Sequence, residues 1–144
     1  MQASDVHESE VRRGELLAVY GELLSRPDVE QAAGLKRGLR LRGRCWIPGD
    51  LYDLGAYAAL VPGEGQVLGE LYEITDPDVF SELDWFQTYD RGRESEPEYV
   101  RLRVALVEPK VTAWVYLYDR DPRGHPRVES GDWRGYLAER LRLR

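Results

Sequence analysis

Cysteine is almost missing from this sequence of 144 residues, since Cys45 is its only one. A single cysteine excludes an intramolecular disulfide and any metal site built from several thiolates, and it fits a reducing, cytoplasmic compartment. Histidine occurs only at positions 7 and 125, and no HxxxH or HxH spacing is present. We therefore expect no metal ion in this protein.

Long apolar runs and an excess of positive charge are also missing. No segment approaches the ~20 apolar residues that a membrane-spanning helix needs. The first residues, MQASDVHESEVRR, lack the apolar stretch of a secretory signal. The net charge is −6, whereas contact with nucleic-acid phosphates needs a concentrated positive field. The sequence therefore predicts neither a membrane partner nor a nucleic-acid partner.

The apolar content is sufficient for one folded domain. Hydrophobic residues make up 42% of the chain and include 4 Trp and 9 Tyr. A chain of this length buries about 70% of its unfolded surface on folding. The first residues are polar and show no periodicity. We therefore expect a polar N-terminal tail over 1–14 and a single domain over 15–144.

Alternation of apolar and polar residues predicts most of the secondary structure as strands. Pro48-Gly49-Asp50 and Glu108-Pro109-Lys110 have the composition of turns between strands. Cys45 falls on the apolar face of one strand, which favours a buried, inert thiol over a nucleophile. We expect strands near 16–20, 39–46, 67–74, 99–107 and 111–118.

Two segments have helix signals. Thr75-Asp76-Pro77 is a typical helix start, and it predicts a helix near 76–86. Ser130 is a candidate cap for a second helix near 131–140. Because no long helical crossovers separate the strands, a doubly wound parallel sheet is disfavoured. The predicted fold class is α+β, a small mixed, mostly antiparallel β-barrel with flanking helices.

Two features are candidates for chemistry. The first predicted strand ends at Tyr20-Gly21, and a turn after a glycine can present backbone N–H groups to a carboxylate or an oxyanion. Gln87 follows Phe80 and Leu83 on the apolar face of the helix near 76–86, which directs it towards the interior or a pocket. In each case the commoner interpretation is purely structural: an ordinary turn, and a half-exposed residue in a frayed last turn.

Seven segments, taken together, resemble the gamma-glutamylcyclotransferase-like family in their order and spacing over about residues 16–137. They correspond to the family's YG(T/S)L, LYDLG, GELYE, LDxxE, Y-x-R, AWVY and GDW motifs. The segments are VYGELL (19–24), LYDLGAYAAL (51–60), VLGELYEI (67–74), LDWFQTYD (83–90), YVRLRV (99–104), AWVYLY (113–118) and SGDW (130–133).

The resemblance implies a small barrel with a pocket at its mouth and a reaction that needs no metal and no cofactor. Enzymes of the family cyclise a γ-glutamyl group to 5-oxoproline and release an amine. The implied partner is therefore a small γ-glutamyl or amide-like molecule. By resemblance, the substrate-binding residues are Tyr20, Gly21, Glu22, Leu23, Leu24 and Tyr99, and the catalytic base occupies position 87.

This sequence departs from the family at two of those positions. Gln87 stands where the family has a glutamate base, and a carboxamide cannot take up a proton at physiological pH. Glu22 stands where the family has Thr or Ser, so it is a candidate substitute base. Two hypotheses stay open. The first is a non-catalytic relative that binds a small amide- or amino-acid-like molecule or serves as an interaction module. The second is an active cyclotransferase, or another amide-processing enzyme, that uses Glu22 or another carboxylate as its base. The sequence makes no prediction of the oligomeric state.

Overall fold

The fold was described from a computed structural model of the chain. The described residues are 11–20, 38–55, 57–78 and 99–142. They form five strands and one helix: β1 (Leu16–Val19), β2 (Leu39–Asp53), β3 (Ala58–Ile74), β4 (Tyr99–Ala105), β5 (Thr112–Tyr118) and α1 (Trp133–Arg142). All five predicted strands are therefore present, although β2 and β3 are longer than expected.

The five strands form one mixed sheet in the order β2-β3-β1-β5-β4. Neighbouring strands are antiparallel except β1 and β5, which run parallel with Leu17 opposite Trp114. This confirms the α+β class and the mostly antiparallel sheet. The sheet is not closed, so the expectation of a barrel needs correction. Trp46 of the edge strand β2 is joined to the chain just after β4. Its N–H donates to the Glu108 oxygen at 2.8 Å, and its oxygen accepts from the Val107 N–H at 2.9 Å.

The turn predicted at Pro48-Gly49-Asp50 is wrong, because β2 continues through it with a bulge between Pro48 and Asp50. Gly49 has φ of 141°, a conformation that favours glycine, and a Cβ there would lie 2.6 Å from the Val61 oxygen. The strand therefore bends at Gly49 without reversing. The loop predicted at Glu108-Pro109-Lys110 is confirmed between β4 and β5.

The core forms two clusters on opposite faces of β1. Ala18 and Tyr20 belong to the first cluster, and Leu17 and Val19 belong to the second, as the alternation of a strand requires. Cys45 lies in the first cluster and is only 1% exposed, which confirms a buried thiol. Burial, with a contribution from the charge of Glu70, raises the pKa of Cys45 to about 11.

The cap of α1 is Asp132 rather than Ser130. The Oδ1 atom of Asp132 accepts from the Gly135 N–H at 3.1 Å, which satisfies one of the free donors of the first turn. Ser130 instead accepts from the Asp132 N–H at 3.2 Å, before the helix begins. The cap thus lies two residues later than the sequence suggested.

No helix within the described ranges has the length and apolar character needed to cross a membrane.

The loop before α1 docks on β3. The Leu68 N–H donates to the Gly131 oxygen at 2.8 Å. Gly131 has φ of 73°, and a Cβ there would lie 2.0 Å from the Gln66 oxygen. Only glycine lets the two backbones approach this closely. The close contact therefore fixes the start of α1 against the sheet.

The buried carboxylate of Asp53 holds the rest of α1. Asp53 is 5% exposed, and its Oδ2 atom accepts from the Tyr136 hydroxyl at 2.7 Å and from Arg140 at 2.8 Å. Its Oδ1 atom accepts from the Gly55 N–H at 2.7 Å. The hydrogen bond to Asp53 raises the pKa of Tyr136, with burial contributing in the same direction. Asp53 therefore ties the turn after β2 to the helix.

Two sequence predictions fall partly or wholly beyond these ranges. The helix expected near 76–86 is described only to residue 78, where the Asp76 Oδ1 atom accepts from the Asp78 N–H at 3.0 Å. The tail expected over 1–14 is described only from residue 11. The division of the chain at residues 14 and 15 stays a prediction.

Substitution of Asp53 tests the anchoring of α1. Asp53→Ala leaves the Tyr136 hydroxyl and the Arg140 guanidinium without this acceptor in a half-buried place. We expect the free energy of unfolding to fall by about 2–3 kcal/mol in urea titrations. Asp121→Ala, which removes an exposed loop carboxylate, is the control and should cause no measurable change. Equal stability of the two variants would contradict the anchoring role.

Substitution of Gly131 tests the contact between the loop and β3. Gly131→Ala combines a positive φ with a backbone clash, and we expect a loss of about 2–4 kcal/mol. Gly124→Ala is the matched control, because Gly124 has φ of 94° but nothing lies within 4 Å of an added Cβ. We expect about 1 kcal/mol for Gly124→Ala. Similar losses at the two positions would show that the close approach to Gln66 has no energetic consequence.

Candidate functional site

A cleft lies at the point along β3 where its backbone partner changes from β1 to the loop before α1. β1 pairs with β3 from Leu16 opposite Glu73 to Val19 opposite Glu70. Beyond β1, the next hydrogen bond from this part of β3 goes from Leu68 to Gly131. Between these two neighbours a cleft of about 230 Å³ opens. Its lining residues are Tyr20, Arg44, Leu68, Gly69, Glu70, Asp132, Trp133 and Arg134.

Tyr20 is the residue that links this cleft to the sequence predictions. It follows directly after β1, is 6% exposed, and belongs to the first core cluster. Its hydroxyl donates to the Tyr116 oxygen at 2.6 Å. Because both the ring and the hydroxyl are held, Tyr20 is a fixed wall of the cleft, and Gly21 follows it in the sequence.

Backbone and apolar surface form the rest of the wall. Gly69 packs so closely that a Cβ there would lie 2.7 Å from the Val19 oxygen and 3.1 Å from Ile47. Trp133, at the start of α1, is 2% exposed and stacks on Tyr136 with ring centroids 5.7 Å apart. The cleft therefore combines close backbone approach with a rigid aromatic surface, as small-molecule sites often do.

Charged side chains of both signs line the cleft. The Oε1 atom of Glu70 accepts from the Tyr72 hydroxyl at 2.9 Å, and its Oε2 atom is 4.0 Å from Arg134. Asp132 is occupied as the helix cap. Arg44 lies opposite Glu70 in the register of β2 and β3. Among the described residues, however, no ion pair within 4.0 Å is formed by Arg44.

The other predicted site residues lie elsewhere or outside the described ranges. Tyr99 belongs to the second core cluster, does not line this cleft, and donates its hydroxyl to the Ala58 oxygen at 2.8 Å. A role of Tyr99 in binding substrate stays a prediction. The remaining candidates are not described by the structure, and they are Gly21, Glu22, Leu23, Leu24 and Gln87.

The sheet topology places the end of β1 and the start of β4 at the same end of the sheet. β1 and β5 run parallel, and β4 is antiparallel to β5 with Tyr99 opposite Tyr118. The last residue of β1 and the first residue of β4 therefore lie at the same end of the sheet. In the sequence, Gly21–Leu24 follow soon after the first of these residues, and Gln87 precedes the second.

The structure adds four charged lining residues that sequence reasoning did not select: Arg44, Glu70, Asp132 and Arg134. Glu70 lies in the family motif GELYE, and Asp132 lies in the segment SGDW. Membership of these motifs is the sequence signal that could have identified them. Within the described ranges, no group of three or more His, Cys, Asp or Glu side chains could hold a metal ion.

Comparison with known proteins assigns the chain to a family. The model of the gamma-glutamyl cyclotransferase, AIG2-like, family matches residues 17–135. The gamma-glutamylcyclotransferase family protein YtfP of Escherichia coli is 43% identical over 83 residues, which are 58% of this chain and 66% of that protein. The matched region thus spans slightly less than two thirds of this relative.

Solved structures agree with that assignment. The solution structure of Escherichia coli ytfP has a TM-score of 0.61 and 36% identity, and the match covers 82% of this chain and 95% of that chain. The crystal structure of an uncharacterized protein from Pyrococcus horikoshii has a TM-score of 0.66 and 23% identity, with coverage of 89% and 97%. At that identity the second likeness concerns the fold alone. The chain belongs to the gamma-glutamyl cyclotransferase, AIG2-like, family.

Proposed function

We propose that this protein binds a γ-glutamyl amine, or a related small amide, at the end of β1, and that it lacks the general base needed to cyclise such a ligand. The observation that carries the proposal is Gln87 in the segment LDWFQTYD, where the family motif LDxxE has its catalytic glutamate. The substitution leaves the shape of the side chain nearly unchanged. It removes the ability to take up a proton.

The chemistry of cyclisation explains why this one substitution matters. The α-nitrogen of the glutamyl group attacks its own γ-carbonyl carbon, a new C–N bond closes the five-membered ring, and the amide C–N bond to the departing amine breaks. Before the attack, a base must take a proton from the α-ammonium, and the departing amine nitrogen must gain a proton as its C–N bond breaks. A carboxamide cannot take up the α-ammonium proton at physiological pH. Loss of a general base typically lowers the rate about 10²–10⁴-fold.

The described geometry supports binding at this end of the sheet. Tyr20 is held by its hydrogen bond to Tyr116 and by its place in the first core cluster. A turn that leaves a fixed strand end can present its backbone N–H groups in constant positions, which suits a carbonyl oxygen that gains negative charge. The cleft beside Tyr20 offers room for a further part of the ligand.

Glu22 supplies the main competing explanation. It replaces the Thr or Ser that the family has in the turn, and a carboxylate there could take up the proton that Gln87 cannot. If Glu22 is the base, the wild-type protein is an active cyclotransferase. One assay of activity separates the two cases. A Glu22 base predicts activity in the wild-type protein, whereas the loss of the base at position 87 predicts activity only in Gln87→Glu.

Release of 5-oxoproline from a panel of γ-glutamyl amides tests the proposal. We expect little or no release of 5-oxoproline by the wild-type protein. In Gln87→Glu we expect the rate of release to increase about tenfold or more, because the restored carboxylate can accept the proton. Gln66→Glu is the matched control: Gln66 is exposed on β3 and is not part of the cleft lining, so the same change there should not raise activity.

Two further variants identify the base if the wild type is active. Wild-type activity that disappears in Glu22→Thr would overturn the proposal and make Glu22 the base. Binding of the amides by isothermal titration calorimetry is measured in parallel with activity. If a folded Gln87→Glu, alone or with Glu22→Thr, neither binds nor cyclises any amide of the panel, the protein does not accept γ-glutamyl groups.

A further inference from the structure

We infer that the outer edge of β2 over Leu39–Arg42 binds an extended acidic segment of a partner protein, which adds to the sheet as a further strand. This stretch is called the open edge below. The inference is independent of the proposed function, because none of the residues assigned to the γ-glutamyl group lies in this range.

The open edge is the part of β2 that has no neighbour on its outer side. β2 is the first strand in the order of the sheet, so one of its sides faces away from β3. Farther along the strand that side is in use: Trp46 bonds to the chain after β4, the Leu51 oxygen accepts from Val128, and Asp53 donates to Pro126. Among the described residues, no such partner is present over Leu39–Arg42.

The register shows which backbone groups the open edge offers. The Thr75 N–H donates to the Gly38 oxygen at 2.9 Å, so Gly38 and Arg40 direct their backbone groups at β3. Leu39 and Leu41 alternate with them and direct theirs away from the sheet. Within the described part of the chain, neither leucine has a backbone hydrogen bond on that side. An antiparallel strand could bond to both.

The charges of the open edge favour an acidic strand. Arg40 is exposed and forms no ion pair within 4.0 Å among the described residues. Glu73 lies opposite Arg40 in the register, but its Oε1 atom binds Arg42 at 2.6 Å. One glutamate thus faces two arginines, and positive charge is in excess. A carboxylate directly across from Arg40 on an added strand would compensate it.

The apolar residue of the open edge sets the pattern of the partner. Leu41 is 55% exposed and lies opposite the half-buried Tyr72. Because side chains alternate along a strand, Leu41 and Arg40 lie on opposite faces of the sheet. A partner strand in which acidic and apolar residues alternate therefore matches both faces.

A second copy of this chain fits the open edge poorly. If Leu41 of two copies faced each other in an antiparallel pair, Arg40 of each copy would lie opposite Arg42 of the other. A slip of the register places Arg40 opposite Arg40, or Arg42 opposite Arg42. Like charges directly opposite each other destabilise a strand pair. The same arginines that attract an acidic strand therefore oppose self-pairing.

Two blocked peptides of opposite charge give the test. EVEVE and KVKVK have the same apolar residues, and each is titrated into the nitrogen-15-labelled protein at low salt. We expect EVEVE to bind saturably and at least about tenfold more tightly than KVKVK. The binding should weaken as salt is added, because the arginines are exposed. Bound EVEVE should also slow the hydrogen exchange of the Leu39 and Leu41 amides.

Methylated peptides test whether EVEVE binds as a strand. The valines lie opposite Leu39 and Leu41, so methylation of both valine nitrogens removes the donors to these residues. We expect this change to weaken binding at least about tenfold. Methylation of two glutamate nitrogens, which face away from β2, is the matched control and should weaken binding less.

Variants of the open edge assign the binding to it. Arg40→Gln and Leu41→Ser should each weaken the binding of EVEVE at least about threefold. Arg123→Gln is the matched control, because Arg123 is exposed on a loop and paired with Asp121. It should leave the affinity for EVEVE unchanged. Thermal unfolding confirms that each variant is folded.

Four outcomes would overturn the inference, and none of them affects the proposed function. If EVEVE does not bind, or binds no better than KVKVK, the arginines only protect the edge from aggregation. Binding that survives methylation of the valines would show attraction by charge without strand addition. Self-association in sedimentation that is lost in Arg40→Gln would assign the edge to a second copy. Binding of single-stranded DNA, but not of EVEVE, that is lost in Arg40→Gln would assign it to nucleic acid.

Discussion

The change of partner along β3 is the constraint on which the candidate site depends. Over Glu70–Glu73 the strand pairs with β1, and at Leu68 it bonds instead to Gly131. The second contact is available only to glycine, because a Cβ at position 131 would lie 2.0 Å from the Gln66 oxygen. This contact brings the start of α1 beside Tyr20 and leaves the cleft between them. The contact therefore contributes to the position of Trp133 and Arg134 relative to the end of β1.

A second set of bonds keeps the helix at one angle to the sheet. Asp53 accepts from Tyr136 and Arg140 on α1 and from the backbone of Gly55. The helix is thus attached through its first residues to β3 and through its middle to the turn after β2. At the far side, the two hydrogen bonds of Trp46 join the sheet edges. These attachments are independent, so the lining of the cleft is held from several directions.

Alternation and family motifs predicted the strands and the fold class. The bulge in β2 and the composition of the cleft lining could not be predicted, because they depend on contacts between residues far apart in the sequence. Pro48 and Gly49 have turn composition, but pairing with β3 carries β2 through them as a bulge. Asp50, 15 positions before Gly65, accepts from its N–H at 3.0 Å. Local sequence gives no signal of such a bond. Likewise, Tyr20 was predicted at the site from a motif, whereas Arg44 and Arg134 come to line the same cleft through strand register and the docking of Gly131.

A crystal structure of the protein with a bound γ-glutamyl amide tests the central claim most directly, because it locates the γ-glutamyl group. We expect that group against the segment that follows Tyr20, near Gln87. A ligand bound away from Tyr20 would contradict the proposed function.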